Sequence, residues 1–276
     1  MLLKAQTFSS VDGESMTLQM KAAKLGELTP EISFVAKEEK VSEEKLMKRI
    51  AKGTVIITRN VRRKNVHPVA IGEGLRTKVN TNIGTSRDLC DLKLELQKAE
   101  TAIKYGTDTL MDLSTGGDLD QIRRAILQKI TIPLGTVPIY QTAIEAAQKK
   151  GSIVHMTEDD IFNTIEKHAK DGVDFMTVHC GITRRIVDHI AKHPRLMGIV
   201  SRGGTFLAVW MLYNKKENPL YSNYDYLLEI AKEYDVVLSL GDALRPGCIF
   251  DATDWPQIQE LLTVGELVER ARKQNV

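Results

Sequence analysis

The chain has 276 residues, 42% hydrophobic and 27% charged, and its 38 Lys and Arg against 36 Asp and Glu leave a formal net charge of +2. That apolar fraction excludes a disordered polypeptide, three scattered cysteines exclude a disulfide scaffold, and the balanced charge argues against a nucleic-acid binder that works by neutralising phosphates. No stretch approaches the ~18 consecutive apolar residues of a membrane span, and the start MLLKAQTFSSVDGES lacks the apolar core of a secretory signal, so a soluble cytoplasmic chain with reduced thiols and no membrane partner is expected.

Residues 1–15 are polar and unpatterned and read as a disordered leader, with better organisation from Met16. Thr29-Pro30-Glu31 predicts a helix start with Pro in its first turn, Ser42-Glu43-Glu44-Lys45 opens a short helix to Ile50, and Val55–Thr58 is a short β-branched run. Residues 16–75 therefore read as a small N-terminal α+β region.

Over 76–276 short apolar runs alternate with amphipathic helical patterns, the signature of βαβ units and a parallel sheet. Six strands are predicted: Thr77–Asn82, Thr109–Leu113, Pro133–Val137, Phe175–His179, Gly198–Ser201 and Val236–Leu240. The intervening helices are predicted over Leu92–Tyr105, Leu119–Lys129, Ala143–Lys149, Glu158–Lys170, Arg184–His193, Phe206–Tyr213, Tyr224–Tyr234 and Trp255–Lys273. Asp118 and Thr157 are the expected N-caps of two of them, Thr157 backed by Asp160 three residues on. A closed TIM-type (β/α)₈ barrel needs eight strands, so six βα units imply an incomplete barrel with open edges; a doubly wound sheet needs no closure and stays open as the alternative.

Polar and glycine residues cluster at the carboxyl ends of the predicted strands, where parallel α/β proteins place their sites. Ser201-Arg202-Gly203-Gly204 lies between an apolar run and a helix, and backbone N–H groups beside an Arg fork suit a phosphate or carboxylate. Ser114-Thr115-Gly116-Gly117-Asp118 supports the same chemistry with less specificity and matches neither a Walker A loop nor GxGxxG. Asp242 and Arg245 could orient polar ring substituents as a fixed acid–guanidinium pair, or simply pack a strand–loop junction. His179 ends a buried strand, where a structural and a catalytic imidazole are equally at home. Asn82 and Tyr140 are strand-end groups suited to a heterocycle, while Met111 alone reads as core. His189 and His193 have the i,i+4 spacing of a zinc pair but no third ligand, and Cys90, Cys180 and Cys248 lack cluster spacing.

Taken together, TKVNTNIGTS, DTLMDLSTGGDLDQIRRAI, GTVPIYQTAIEAA, GVDFMTVHCGITR, GIVSRGGTFLAVWML and GDALRPGCIFDATD closely resemble the phosphomethylpyrimidine synthase family of thiamine biosynthesis, from Met16 to the last residue. The resemblance implies a (β/α)₈ barrel with an N-terminal domain. It also implies a radical S-adenosylmethionine carbon–carbon lyase, homodimeric, that converts 5-aminoimidazole ribotide into 4-amino-2-methyl-5-phosphomethylpyrimidine on a [4Fe–4S] cluster. By motif, the substrate-binding positions it implies are Asn82, Met111, Tyr140, His179, Ser201, Arg202, Gly203, Asp242 and Arg245.

The sequence also departs from the family pattern. Ala243 stands where Gly is usual, Thr81 where Ala is common, and His155 where Asp is common. In the family a Glu-Gly-Pro-Gly-His segment, a later His and three clustered Cys follow, supplying a substrate-binding Glu, the ligands of a zinc or iron ion and those of the cluster. None lies within this sequence, so its ligands for that ion, S-adenosylmethionine and the cluster are expected beyond residue 276 and the chain alone is expected to be inactive. Two alternatives share these motifs: a paralogue that makes 5-hydroxybenzimidazole from the same ribotide, and a non-catalytic ribotide-binding module.

Overall fold

Three short helices and a hairpin open the computed structural model, which describes residues 18–276, so the leader expected at 1–15 lies outside the described residues. They are α1 (Gln19–Leu25), α2 (Pro30–Glu39), α3 (Glu43–Lys52), β1 (Val55–Thr58) and β2 (Val69–Gly72). Helix α2 starts where its sequence dictates, with Pro30 in the first turn and the Thr29 hydroxyl accepting the Ile32 N–H. Ser42 caps α3 in the same way through the Lys45 N–H. β1 pairs antiparallel with β2, from Val55 opposite Gly72 to Thr58 opposite Val69, and Ile32, Leu46, Ile50 and Ile57 form a core of their own beneath them. The sequence patterns single out neither α1 nor β2.

The larger part is a parallel sheet of five strands in sequential order: β3 (Asn80–Ile83), β4 (Thr109–Asp112), β5 (Leu134–Thr136), β6 (Phe175–Val178) and β7 (Val237–Leu240). Its helices are α4 (Leu92–Lys104), α5 (Leu119–Lys129), α6 (Pro138–Lys150), α7 (Glu158–Asp171), α8 (Arg184–Lys192), α9 (Arg202–Asn214), α10 (Pro219–Ser222), α11 (Tyr224–Tyr234) and α12 (Trp255–Lys273). The central strands β4 and β5 are wholly buried, as expected of apolar runs covered by helices on the return path, whereas the outer strands β3 and β7 are partly exposed. No reversal of strand order, the mark of a doubly wound sheet, occurs among the described strands. No helix among the described residues is long and apolar enough to cross a membrane.

One predicted strand is absent, so the described residues hold five parallel strands where six are predicted. Gly198–Ser201 is an irregular segment, because Gly198 takes a φ of 62° and β6 pairs directly with β7, from Phe175 opposite Val237 to Val178 opposite Leu240. The segment is instead tied to the chain that follows β7. The Asp251 carboxylate accepts the Leu196 and Met197 N–H groups at 2.9 and 2.8 Å, and Arg195 donates to Asp254 and to the Leu244 carbonyl. Two helices also begin earlier than predicted. α6 starts at Pro138, which serves as a first-turn residue, and α9 starts at Arg202, because Ser201 caps it and its two glycines lie inside the first turn.

At the amino end of the sheet, Asp174 fastens the chain after β1 to the strands. Its carboxylate accepts the Asn60 and Leu134 N–H groups and an Arg63 guanidinium N–H at 2.9 Å, with both side chains of the ion pair buried.

Candidate functional site

At the opposite, carboxyl end of the sheet the strand exits surround an open cleft of about 610 Å³, walled by Asn82, Lys98, Thr115, Tyr140, Arg202 and Arg245. The exits of β3 and β4 run so close that a Cβ on Gly84 (φ 150°) would lie 2.7 Å from the backbone of Leu113 and Ser114. Thr85 fixes the two together, its hydroxyl donating to the Gly116 carbonyl at 2.7 Å and its N–H to the Ser114 hydroxyl at 3.1 Å. Behind them the buried Glu95 of α4 accepts the Gly84 N–H at 2.8 Å and the Lys98 ammonium at 2.6 Å.

On the far wall Arg202, the first residue of α9, places its guanidinium carbon 5.1 Å from the centroid of the Tyr140 ring, which also meets Phe206 edge-on at 6.2 Å. Burial pushes the Tyr140 phenol up, while the Arg202 and Arg245 charges pull the other way, so the hydroxyl keeps its proton and can donate at neutral pH. Ser201 is N-cap, its hydroxyl accepting the Gly204 N–H at 3.2 Å. With an Arg on a helix N-terminus, a hydrogen-bonding phenol and Lys98 across the gap, the arrangement suits an anionic ligand that carries a planar ring.

The predicted residues do not all reach this surface. Asn82, Tyr140, Arg202 and Arg245 line the cleft. His179, Ser201 and Gly203 lie buried beneath it, with Gly203 pressed so tightly on the imidazole that a Cβ there would sit 2.4 Å from His179 Cε1. His179 Nδ1 has no hydrogen-bond partner among the described residues, and burial, reinforced by the Arg245 charge, lowers the ring to about 4, so it is neutral. Met111 stands opposite Asn82 in the β3–β4 register but belongs to the core. Asp242 and Arg245 form an ion pair at the surface. They are exposed side chains 3.6 Å apart, and Arg245 donates to the Asp242 carbonyl at 3.0 Å.

Lys98 and Glu95 escape sequence reasoning because they sit on α4, Glu95 in its first turn and Lys98 one turn on, away from any strand end; their i,i+3 spacing is the available signal. His189 packs between His193 and Trp255, with tilted rings whose centroids lie 4.7 and 4.1 Å from its own, an aromatic arrangement with no third ligand among the described residues. Cys180 is buried and its thiol is pushed up to about 12, while Cys90 is exposed. Among the described residues no group of three or more His, Cys, Asp or Glu could hold a metal ion, so these residues do not fit an iron–sulfur cluster or a zinc ion.

The model of the Radical SAM ThiC family matches residues 18–276. Curated relatives named phosphomethylpyrimidine synthase include those of Thermococcus gammatolerans and Pyrococcus abyssi, each 57% identical, and that of Methanocaldococcus jannaschii, 56% identical, all over 258 residues. The alignments cover 94% of this chain and 61%, 60% and 60% of the three relatives. The chain thus spans about three fifths of the length of the curated relatives it matches.

Proposed function

The chain belongs to the Radical SAM ThiC family, and on that premise we propose that it supplies the substrate-binding face for phosphomethylpyrimidine synthase chemistry in thiamine biosynthesis, taking 5-aminoimidazole ribotide as substrate. The observation that carries this reading is the convergence of Arg202, Tyr140, Arg245 and Asn82 on one cleft. In it the Arg202 guanidinium and the first amides of α9 take the ribotide phosphate, with Ser201 and Gly203 shaping that first turn. Tyr140 and Asn82 face the aminoimidazole as hydrogen-bonding groups, and Arg245, tethered to the Asp242 carbonyl, closes the wall. His179 and Met111 support the floor. His179 presents a neutral imidazole whose unpartnered Nδ1 is free to bond a ligand atom that reaches it. The five sequential parallel strands read as an arc of a (β/α)₈ barrel, and the protein as a homodimer.

The family name implies S-adenosylmethionine and an iron–sulfur cluster, which start radical chemistry when bound. The described residues do not hold that cluster, and what they contribute is binding, orientation and a partly buried seat for the reacting ring.

Titration calorimetry of the wild-type chain with 5-aminoimidazole ribotide tests the reading. Binding is expected, with Arg202→Ala weakening it by about tenfold or more, as loss of a charge-assisted contact does. No binding, or an Arg202→Ala variant that binds like the parent, overturns it.

A further inference from the structure

One buried acid lies outside the cleft yet grips its wall. Glu260, on α12, is 3% exposed, on a helix whose other buried positions are Pro256, Leu267 and Ala271. Its two carboxylate oxygens accept the N–H groups of Ala243 and Leu244 at 2.8 and 2.7 Å, one each. Arg195 holds the same turn from its other side, donating to the Leu244 carbonyl at 2.7 Å. The turn in turn abuts α9: a Cβ on Gly204 would lie 2.6 Å from the Ala243 carbonyl oxygen and 2.9 Å from its methyl. The peptide that Glu260 grips therefore lies between Arg245, which it carries, and the first turn of α9, which carries Arg202.

A buried carboxylate is costly unless it is fully hydrogen-bonded, and a helix surface offers many cheaper side chains at this position. A glutamate that spends both oxygens on two successive amides fixes the orientation of two consecutive peptide planes, which fixes where the next side chain leaves the backbone. We propose that Glu260 is the positioning residue of the Asp242–Arg245 turn, and that through this turn it sets the separation of Arg245 and Arg202 and with it the affinity of the cleft for a phosphate-bearing ligand. The ligand half of this inference rests on the ribotide reading above; the positioning half does not.

The test compares the wild-type chain with Glu260→Ala and Glu260→Gln in two measurements. Hydrogen exchange at the Ala243 and Leu244 amides reads positioning without any ligand. In Glu260→Ala both amides should exchange about tenfold faster or more, whereas Glu260→Gln, which keeps one acceptor oxygen, should leave one of the two protected. Titration with 5-aminoimidazole ribotide reads the consequence: about tenfold weaker binding for Glu260→Ala, partly rescued in Glu260→Gln, under conditions where the unfolding free energy of each variant shows it fully folded. Should Glu260→Ala not fold, the Glu260→Gln exchange pattern alone decides the positioning half. Unchanged exchange at both amides overturns the proposal outright. Faster exchange with unchanged affinity overturns its ligand half. If the wild-type chain binds no ribotide, the ribotide reading fails and takes the ligand half with it, while the exchange data still decide whether Glu260 positions the turn.

Discussion

Arg202 stands over the face of Tyr140, its guanidinium carbon 5.1 Å from the ring centroid, so that one side chain of α9 is held by the first turn of α6. A cation over an aromatic face is worth about 0.5–2 kcal/mol, and here it also fixes the direction in which the guanidinium presents its donors. Tyr140→Phe keeps the face and should retain most of the affinity for 5-aminoimidazole ribotide, losing only what the phenol contributes. Tyr140→Ala removes the platform and should weaken binding by about three- to thirtyfold. Calorimetric titration of both variants checks this, and a Tyr140→Ala protein that binds as well as Tyr140→Phe contradicts the assigned role.

The buried imidazole of His179 gives a pH signature. Its folded pKa is depressed from 6.5 to about 4, chiefly by burial and secondarily by Arg245. The folded state therefore favours the neutral ring, and the resulting stability is fully present above 6.5 and is lost as pH falls through about 4. Relative to a non-titrating His179→Gln variant, the wild-type protein should lose up to about 3 kcal/mol of unfolding free energy between pH 7 and pH 4. Its Cε1 proton resonance should show no titration midpoint between pH 5 and 8, by NMR, and a midpoint near 6.5 would show that the ring is solvated.

Two glycines make opposite predictions. A Cβ on Gly203 would lie 2.4 Å from His179 Cε1, so Gly203→Ala must displace either the ring or the first turn of α9. Overpacking of this kind costs about 1–3 kcal/mol. Gly265, inside α12, has open space at the Cβ position, and Gly265→Ala should stabilise by about 0.5–1 kcal/mol through helix propensity alone. Urea unfolding of both variants distinguishes a steric constraint from a general intolerance of substitution.

Much of this layout is legible in the sequence, because local signals and tertiary outcome agree. The Thr157–Asp160 capping box forms as its spacing predicts, Asp118 caps α5, and the apolar runs of β4, β5 and β6 become buried strands. The sequence misleads where long-range contacts decide. Gly198–Ser201 has the composition of a strand, but Asp251 and Arg195 bind its approach and β7 already occupies the edge of β6. In the cleft, Asn82, Tyr140, Arg202 and Arg245 are readable from their place beside predicted strand ends, whereas Lys98, on α4, is not, and neither are Glu95 and Glu260. Their partners are backbone amides 11 to 17 residues away, and an amide leaves no trace in residue identity.

At the amino end of the sheet the Arg63–Asp174 pair should prove costly to break and cheaper to remove entire. Arg63 is a buried guanidinium that also donates to the Ile130 carbonyl, and Asp174 accepts two backbone amides besides the Arg63 bond. Arg63→Met leaves a buried carboxylate with one charged partner gone, a loss of about 3–5 kcal/mol. In the double variant Arg63→Met with Asp174→Asn the remaining group is neutral, so its cost should fall well short of the two single costs added together. A double-mutant cycle in urea checks the coupling, and strict additivity would show that solvent screens the pair.

Glu260 titrates in the opposite sense to His179, and the sign separates its charge from its geometry. Burial raises its pKa from 4.5 to about 7, with the two amide hydrogen bonds opposing that shift and the Asp242 charge adding to it. Because the folded protein holds the proton more tightly than the unfolded chain, this contribution to stability is fully present below 4.5 and is lost as pH rises through about 7. Glu260→Gln does not titrate, so the wild-type advantage over it should shrink by up to about 3 kcal/mol between pH 4.5 and pH 8, as read from unfolding free energies. The hydrogen-bond geometry behaves differently. Either protonation state retains oxygen acceptors for Ala243 and Leu244, so amide protection in the turn should outlast the change in charge. A difference in stability that grows with pH would show that the ionised carboxylate is the favoured form and that burial does not govern this residue.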